Sequence, residues 1–260
     1  MRIAVLVKYC VDPANLRVSS DGHIDVGGSL KKISESDLNA VEEAVRIREV
    51  LGGSIHLYSL GPFEASKLLR EALALGADKA YLVADLGIRN PDSFATAYIL
   101  SKAVRKQEPY DLILAGDGSE DNYSGAVAIM LAELLGVPHV AYVIRLKFAE
   151  NTARAERNLE EKIQSIEFSL PALVTVAPEI NQPRFVSLLQ VMQVPRDALI
   201  TLKLEDLGIS PEDYDQCLLR EQVELTPILT ARKNIIIEGD LSETTRRLIE
   251  MLRTAGVIQT

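Results

Sequence analysis

The 260-residue sequence predicts an α/β fold: a three-layer domain with a parallel sheet between two layers of helices, followed by a C-terminal extension. Three observations carry this reading. Short aliphatic runs recur through the first part of the chain, as in strands covered on both faces. Segments of helical periodicity alternate with them, which implies right-handed βαβ units. After about Val194 the alternation stops, and Pro195, Gly208, Pro211 and Pro227 punctuate a more charged stretch.

The elements follow in order. Ile3-Ala4-Val5-Leu6-Val7 reads as the first strand. A polar, glycine-containing excursion spans residues 12–32. Ser36 or Asp37 is placed to cap a helix carrying Leu38, Val41, Ala44, Val45 and Ile47, which Gly52-Gly53 ends. Residues 54–60 form the next strand, with Gly61-Pro62 as its turn, and residues 64–75 a helix ended by Gly76. Residues 80–84 form a strand, and Asp92 caps a helix over residues 95–104. Strand 112–115 and helix 126–135 follow, the helix closed by Gly136 and Pro138. Residues 140–148 and 163–168 alternate more and read as an antiparallel edge. The buried strand 173–177 closes the core. The expected division is a core domain over residues 1–194 and an extended arm over 195–260. The arm ends in a helix over 242–254, capped by Ser242. Its stripe of Leu241, Leu248, Ile249 and Leu252 packs on its own domain or on a second subunit.

Hydrophobic residues make up 47% of the chain, enough for a large core. Trp is absent and aromatics are 5%, so that core is aliphatic. The net charge of −9 leaves no basic surplus to displace counterions, which argues against nucleic acid as partner. Cys10 and Cys217 make no disulfide framework, and His23, His56 and His139 are scattered, so no metal site is expected. No apolar run is long enough to span a bilayer, and the chain enters a strand pattern without a signal-peptide pattern. A cytoplasmic location is the expectation.

Two stretches invite a functional reading. Ala115-Gly116-Asp117-Gly118-Ser119-Glu120-Asp121-Asn122-Tyr123-Ser124-Gly125 lies between a strand and a helix. Small residues there allow close backbone approach, and free N–H groups at a helix start favour an anion. Asp117, Glu120 and Asp121 work against a naked phosphate, and spacing alone favours an ordinary βα turn with a capping Asp. The second is Ile180-Asn181-Gln182-Pro183-Arg184-Phe185-Val186-Ser187-Leu188. Pro183 must end the preceding strand, so the chain leaves the sheet carrying one cation and several apolar side chains. That is either a docking surface or a strand end burying Phe185 and Leu188 in its own core. Lys8 is placed to pair with a carboxylate such as Asp12. Glu42-Glu43 point about 100° apart on a helix and read as a solvated face. No nucleophile–base arrangement is present.

The second stretch resembles the partner-docking loop of electron transfer flavoprotein β subunits, in which the final leucine, here Leu188, anchors the dehydrogenase. Further matches run in the family's order. Val7-Lys8 with Val11-Asp12 is similar to its opening V-K-x-V-x-D, and Ala40-Val41-Glu42-Glu43-Ala44-Val45-Arg46 to its A-V-E-E-A-x-R helix. Leu60-Gly61-Pro62 and Ala72-Leu73-Ala74-Leu75-Gly76-Ala77-Asp78-Lys79-Ala80 also match, and Leu170-Pro171-Ala172 leads to the docking loop. The resemblance covers residues 1–192, and the arm by layout alone. It implies an adenine-nucleotide-hydrolase-like core and an electron carrier rather than an enzyme. It also implies a heterodimer with an α subunit that holds most of a shared FAD. AMP, or a second FAD in a bifurcating type, would sit in this chain. Carried over by position, the nucleotide site would comprise Leu6, Lys8, Ser34, Ser36, Asp37, Leu60, Gly116, Gly118, Ser119, Asp121, Asn122, Tyr123, Ser124, Gly125 and Val127. The partner surface would comprise Arg184, Phe185, Leu188 and Leu189, with dehydrogenases docking on loop 181–192.

The chain also departs from the family pattern. The family's G-x-Q-A-I-D-x-D loop keeps Gly116 and Asp121 here but carries Gly118-Ser119-Glu120 and Tyr123, and Tyr123 would either stack on adenine or plug the pocket. Its N-P before the A-V-E-E-A helix is Ser34-Glu35. Its R-E dipeptide, whose glutamate helps position the mobile flavin domain, is Arg157-Asn158, with Glu156 and Glu160 nearby. Its lysine-rich tail is Gln193-Val194-Pro195-Arg196-Asp197. A stand-alone adenine-nucleotide-binding module is the alternative reading.

Overall fold

The computed structural model describes residues 1–18, 24–25, 28–159, 162–218 and 234–258. Glu160, Pro227, parts of the 12–32 excursion and residues 219–233 of the expected arm lie outside the described residues. The chain opens with β1 (Arg2–Leu6), β2 (Tyr9–Val11), β3 (Arg17–Val18), β4 (Ile24–Asp25) and β5 (Lys31–Ile33). Then α1 (Glu35–Leu51), β6 (Ser54–Leu60), α2 (Ala65–Ala74), β7 (Lys79–Val83), α3 (Ser93–Arg105), β8 (Leu112–Gly116) and α4 (Ala126–Leu135) alternate. A meander of β9 (His139–Ala149), β10 (Thr152–Leu159) and β11 (Lys162–Ser169) precedes β12 (Ala172–Val176). The remaining elements are α5 (Leu188–Gln193), β13 (Leu199–Leu202), α6 (Pro211–Cys217) and α7 (Leu241–Thr254).

The main sheet has nine strands in the order β11-β10-β9-β12-β8-β1-β6-β7-β13. It is parallel from β9 through β13, and β9, β10 and β11 pair antiparallel. Strand periodicity sorts side chains to two cores. Ile3, Val5, Leu112 and Leu114 face α1 and α2, where they meet Val41, Val45, Leu69 and Leu73. Ala4, Leu6, Ile113 and Ala115 face α3 and α4, where they meet Ile99, Leu100, Leu131 and Ala132. Each of these larger aliphatic groups contributes roughly 1.5–3 kcal/mol on leaving water. The α/β layering is as the sequence predicts.

This sorting creates the site. α1 and α2 cover one face, and α3 and α4 the other. β1 and β8 are neighbours, yet the chain leaves them toward opposite faces. Their carboxyl ends therefore flank the topological switch point, the crevice where ligands of open α/β sheets bind.

The structure differs from the sequence reading in five places. β10 lies between the two expected edge strands, because its inward residues are the small Ala153 and Ala155, set between charges. Ser34, not Ser36 or Asp37, stands at the N-cap of α1, and Ser36 and Asp37 are buried in the first turn. Residues 188–193 form a helix whose capping box joins Ser187 and Gln190. Past residue 194 the chain returns to the sheet as β13, parallel to β7, and the compact unit runs Met1–Gln222, so the expected boundary falls inside it. A second unit, Val223–Thr260, contains α7. Asp240, not Ser242, caps α7, accepting from the Glu243 N–H at 3.0 Å. Leu241 and Leu248 on its apolar stripe are exposed. No helix among the described residues is long and apolar enough to cross a membrane.

Candidate functional site

The crevice is built around Asp37. Its carboxylate accepts the Lys8 N–H at 2.7 Å and the Gly116 N–H at 2.9 Å. One side chain from α1 thus ties together the ends of β1 and β8. Gly116 has to be glycine, because a Cβ there would lie 2.7 Å from Asp37 Oδ1 and closer still to Ser36. Burial pushes the Asp37 carboxyl up to about 7, and the two N–H donors oppose it only in part. The folded chain therefore holds a proton that the unfolded chain loses near pH 4, and stability conferred by this group falls as pH rises from about 4 to about 7. The expected slope is at most about 1.4 kcal/mol per pH unit. Denaturant midpoints measured from pH 5 to 8 should fall more steeply for the natural chain than for Asp37→Asn. Equal slopes would contradict the assignment.

The loop after β8 folds back over the start of α1. The Ser36 hydroxyl donates to the Gly118 carbonyl, and Ser34 Oγ lies 3.0 Å from Ser36 Oγ. Glu120 Oε1 accepts the Glu35 N–H at 2.7 Å, so a carboxylate caps the helix start. Lys8 Nζ reaches Asp121 at 2.6 Å and Ser119 Oγ at 2.9 Å. Lys8 therefore pairs with Asp121 rather than the expected Asp12, because loop 117–124 carries Asp121 against the end of β1. Burial raises the Asp121 carboxyl, but Lys8 and the Ser119 hydroxyl hold it below the usual carboxylate range. Burial, with the Glu120 carboxylate beside it, raises the Cys10 thiol to about 12, so Cys10 is no nucleophile.

Tyr123 completes the loop. It sits at φ +45, in the left-handed region. Its N–H bonds the Ser119 carbonyl at 2.8 Å and its hydroxyl bonds Asp117 Oδ2 at 2.9 Å. Its ring lies so close over Gly118 that a Cβ there would stand 2.9 Å from it. Asp117 is 6% exposed, and its Oδ1 has no partner among the described residues. Burial raises the Asp117 carboxyl, opposed by Tyr123.

Lys8, Ser34, Ser36, Asp37, Gly116, Gly118, Ser119, Asp121, Asn122 and Tyr123 thus form one connected network. Ser124 N–H bonds the Asn122 side chain at 3.4 Å, and Gly125 takes a left-handed turn into α4. Leu6 lies in the apolar core under α3 and α4, and Leu60 and Val127 pack against it partly buried. Sequence reasoning left Glu120 out of the site. Only the tertiary return of the loop onto α1 reveals its role, and nothing in its local spacing signals it.

The second feature is the segment after β12. Glu42 is not a solvated residue: it is 3% exposed, and Arg184 donates to it through its backbone N–H, Nε and Nη2 at 3.2, 2.8 and 3.1 Å. Arg46 adds a bond at 2.9 Å, and Glu49 holds the other end of the Arg184 guanidinium at 2.9 Å. These cations hold the Glu42 carboxyl below its ordinary value against the effect of burial. Asn181 bonds both Asn39 and Glu43. The strap so fixed presents Phe185, 90% exposed, and Leu188, 76% exposed, with Leu189 and Met192 exposed beside them. Burial of Phe185 and Leu188 in the chain's own core is thereby excluded.

The chain matches the electron transfer flavoprotein domain over residues 24–207. It is 34% identical to the electron transfer flavoprotein subunit beta of Bacillus subtilis, over 99% of this chain and all of the relative. It is 33% identical to the subunit of the same name from Thermoanaerobacterium thermosaccharolyticum, with the same coverage. It is 34% identical over 82% of each chain to the caffeyl-CoA reductase-Etf complex subunit CarD of Acetobacterium woodii. With the sheet, the switch-point loop and the full-length likeness together, the chain belongs to the family of electron transfer flavoprotein β subunits.

Proposed function

We propose that this chain is the β subunit of a heterodimeric electron transfer flavoprotein, passing electrons from dehydrogenases to a further acceptor through FAD bound mainly by an α subunit. The observation that carries this reading is the exposed apolar helix α5, rigidly tied to the core by the Arg184–Glu42 pairs. Such a surface suits a protein partner: apolar anchors on a pre-ordered element bind with little further ordering. The apolar stripe of α7 supplies the surface for the α subunit. Three or four aliphatic groups there gain roughly 1.5–3 kcal/mol each on burial, against about 1–2 kcal/mol for ordering each residue. Such an arm needs a partner.

A second reading gives the β chain a nucleotide of its own, AMP or, in a bifurcating type, FAD. The likeness to a reductase-complex subunit and the unpartnered Asp117 Oδ1 favour it. The crowding of the phosphate end of the crevice weighs against it.

The test is co-expression with an electron transfer flavoprotein α subunit. The two chains should copurify, and a reduced dehydrogenase should bleach the flavin of the pair. A colourless chain that ignores the α subunit and binds ATP would instead support a stand-alone nucleotide-binding module.

A further inference from the structure

A nucleotide phosphate in the switch-point crevice would need a free helix start, a free cation and open space above glycine. At the start of α1 each of these is already engaged by the chain itself, whereas α4 begins at Gly125 without a side-chain cap. Glu120 accepts the Glu35 N–H at the start of α1, the position a phosphate oxygen would take. Asp121 and Ser119 hold the Lys8 ammonium. Tyr123 covers Gly118, the point where a ligand would approach the backbone. The carboxylates of Glu35, Asp117, Glu120 and Asp121 crowd this region, against the ammonium groups of Lys8 and Lys32, while Asp37, whose proton burial holds up to about pH 7, adds no full charge. A phosphate dianion would add to the negative charge already there. A phosphate of the implied AMP therefore does not fit at the start of α1 without displacing the loop.

We propose that loop 117–124 acts as a built-in replacement for the nucleotide phosphate, its Glu120 and Asp121 carboxylates bracing α1 against β1 so that this β chain works without an adenine nucleotide of its own. The loop does structurally what a bound phosphate would do: it satisfies the helix N-terminus and neutralises Lys8. It stays covalently attached, so no ligand concentration is needed to hold it.

This inference rests on the β-subunit reading. Its test uses the co-expressed α–β complex, denatured in acid, with FAD and AMP separated by chromatography. About one FAD and less than roughly a tenth of an AMP per complex is expected. One AMP, or a second FAD, per complex overturns the proposal while leaving the β-subunit reading intact. Failure to obtain a flavin-bearing complex would overturn that reading instead. The isosteric double variant Glu120→Gln, Asp121→Asn, prepared in the same complex, removes both surrogate charges with little change of shape. By equilibrium dialysis it should bind AMP at least tenfold more tightly than the natural complex. Equal AMP binding by the two also overturns the proposal.

Discussion

Leu188→Ala is expected to slow dehydrogenase-driven reduction of the flavin about 30-fold at sub-saturating dehydrogenase, while FAD content and thermal stability stay unchanged. Truncating a central apolar anchor typically removes about 2 kcal/mol of binding, which sets that factor. Stability should hold because Leu188 is exposed and the Ser187–Gln190 capping box does not involve its side chain. The loss should appear as a higher apparent KM with little change in the saturated rate. Stopped-flow bleaching of the flavin across a range of dehydrogenase concentrations checks it. Undiminished transfer would remove Leu188 as the anchor.

Arg184→Ala should be the most destabilising single change in this region. Glu42 is 3% exposed with Arg184 in place, and among the described residues the change leaves Arg46 as its remaining cationic partner. Removing one partner of a buried pair costs about 3–5 kcal/mol. Arg184 is itself partly exposed and Arg46 remains, so about 2–3 kcal/mol is expected, read from urea midpoints at constant slope. The comparison that isolates the cause is Arg184→Ala with Glu42→Gln. Neutralising the stranded carboxylate should recover more than half of the loss, because the penalty lies in the unpaired charge. Docking should remain impaired in the double variant, since the strap no longer holds Phe185 and α5 in place. Additive losses would show that Arg184 acts by packing alone.

The fold was legible because it is written locally. Continuous aliphatic strands such as Ile3-Ala4-Val5-Leu6-Val7, separated by helices that end at Gly52, Gly76 and Gly136, define a parallel sheet without tertiary information. Elements whose signal is weak locally were not legible. β10 buries only alanines between charged neighbours, so its alternation is nearly silent. β13 has four residues and follows Pro195. Its place beside β7 is decided by sheet-edge pairing, a non-local choice. The site divides in the same way. The loop after β8 and the exposed strap could be found from composition and strand endings. Apart from Arg46 with Glu42, the partners of Lys8, Glu42 and Glu120 could not, because each contact joins segments far apart in sequence. Glu42 shows the point most clearly. On a helical wheel it is an ordinary outward charge, and only the return of the chain after β12 buries it under Arg184.

The most direct test of the account is a flavin count on the chain expressed alone and on the chain co-expressed with an α subunit. The account expects a colourless chain in the first case and about one FAD per α–β complex in the second. A yellow, flavin-saturated chain in isolation, or a chain that fails to associate with any α subunit, would contradict it.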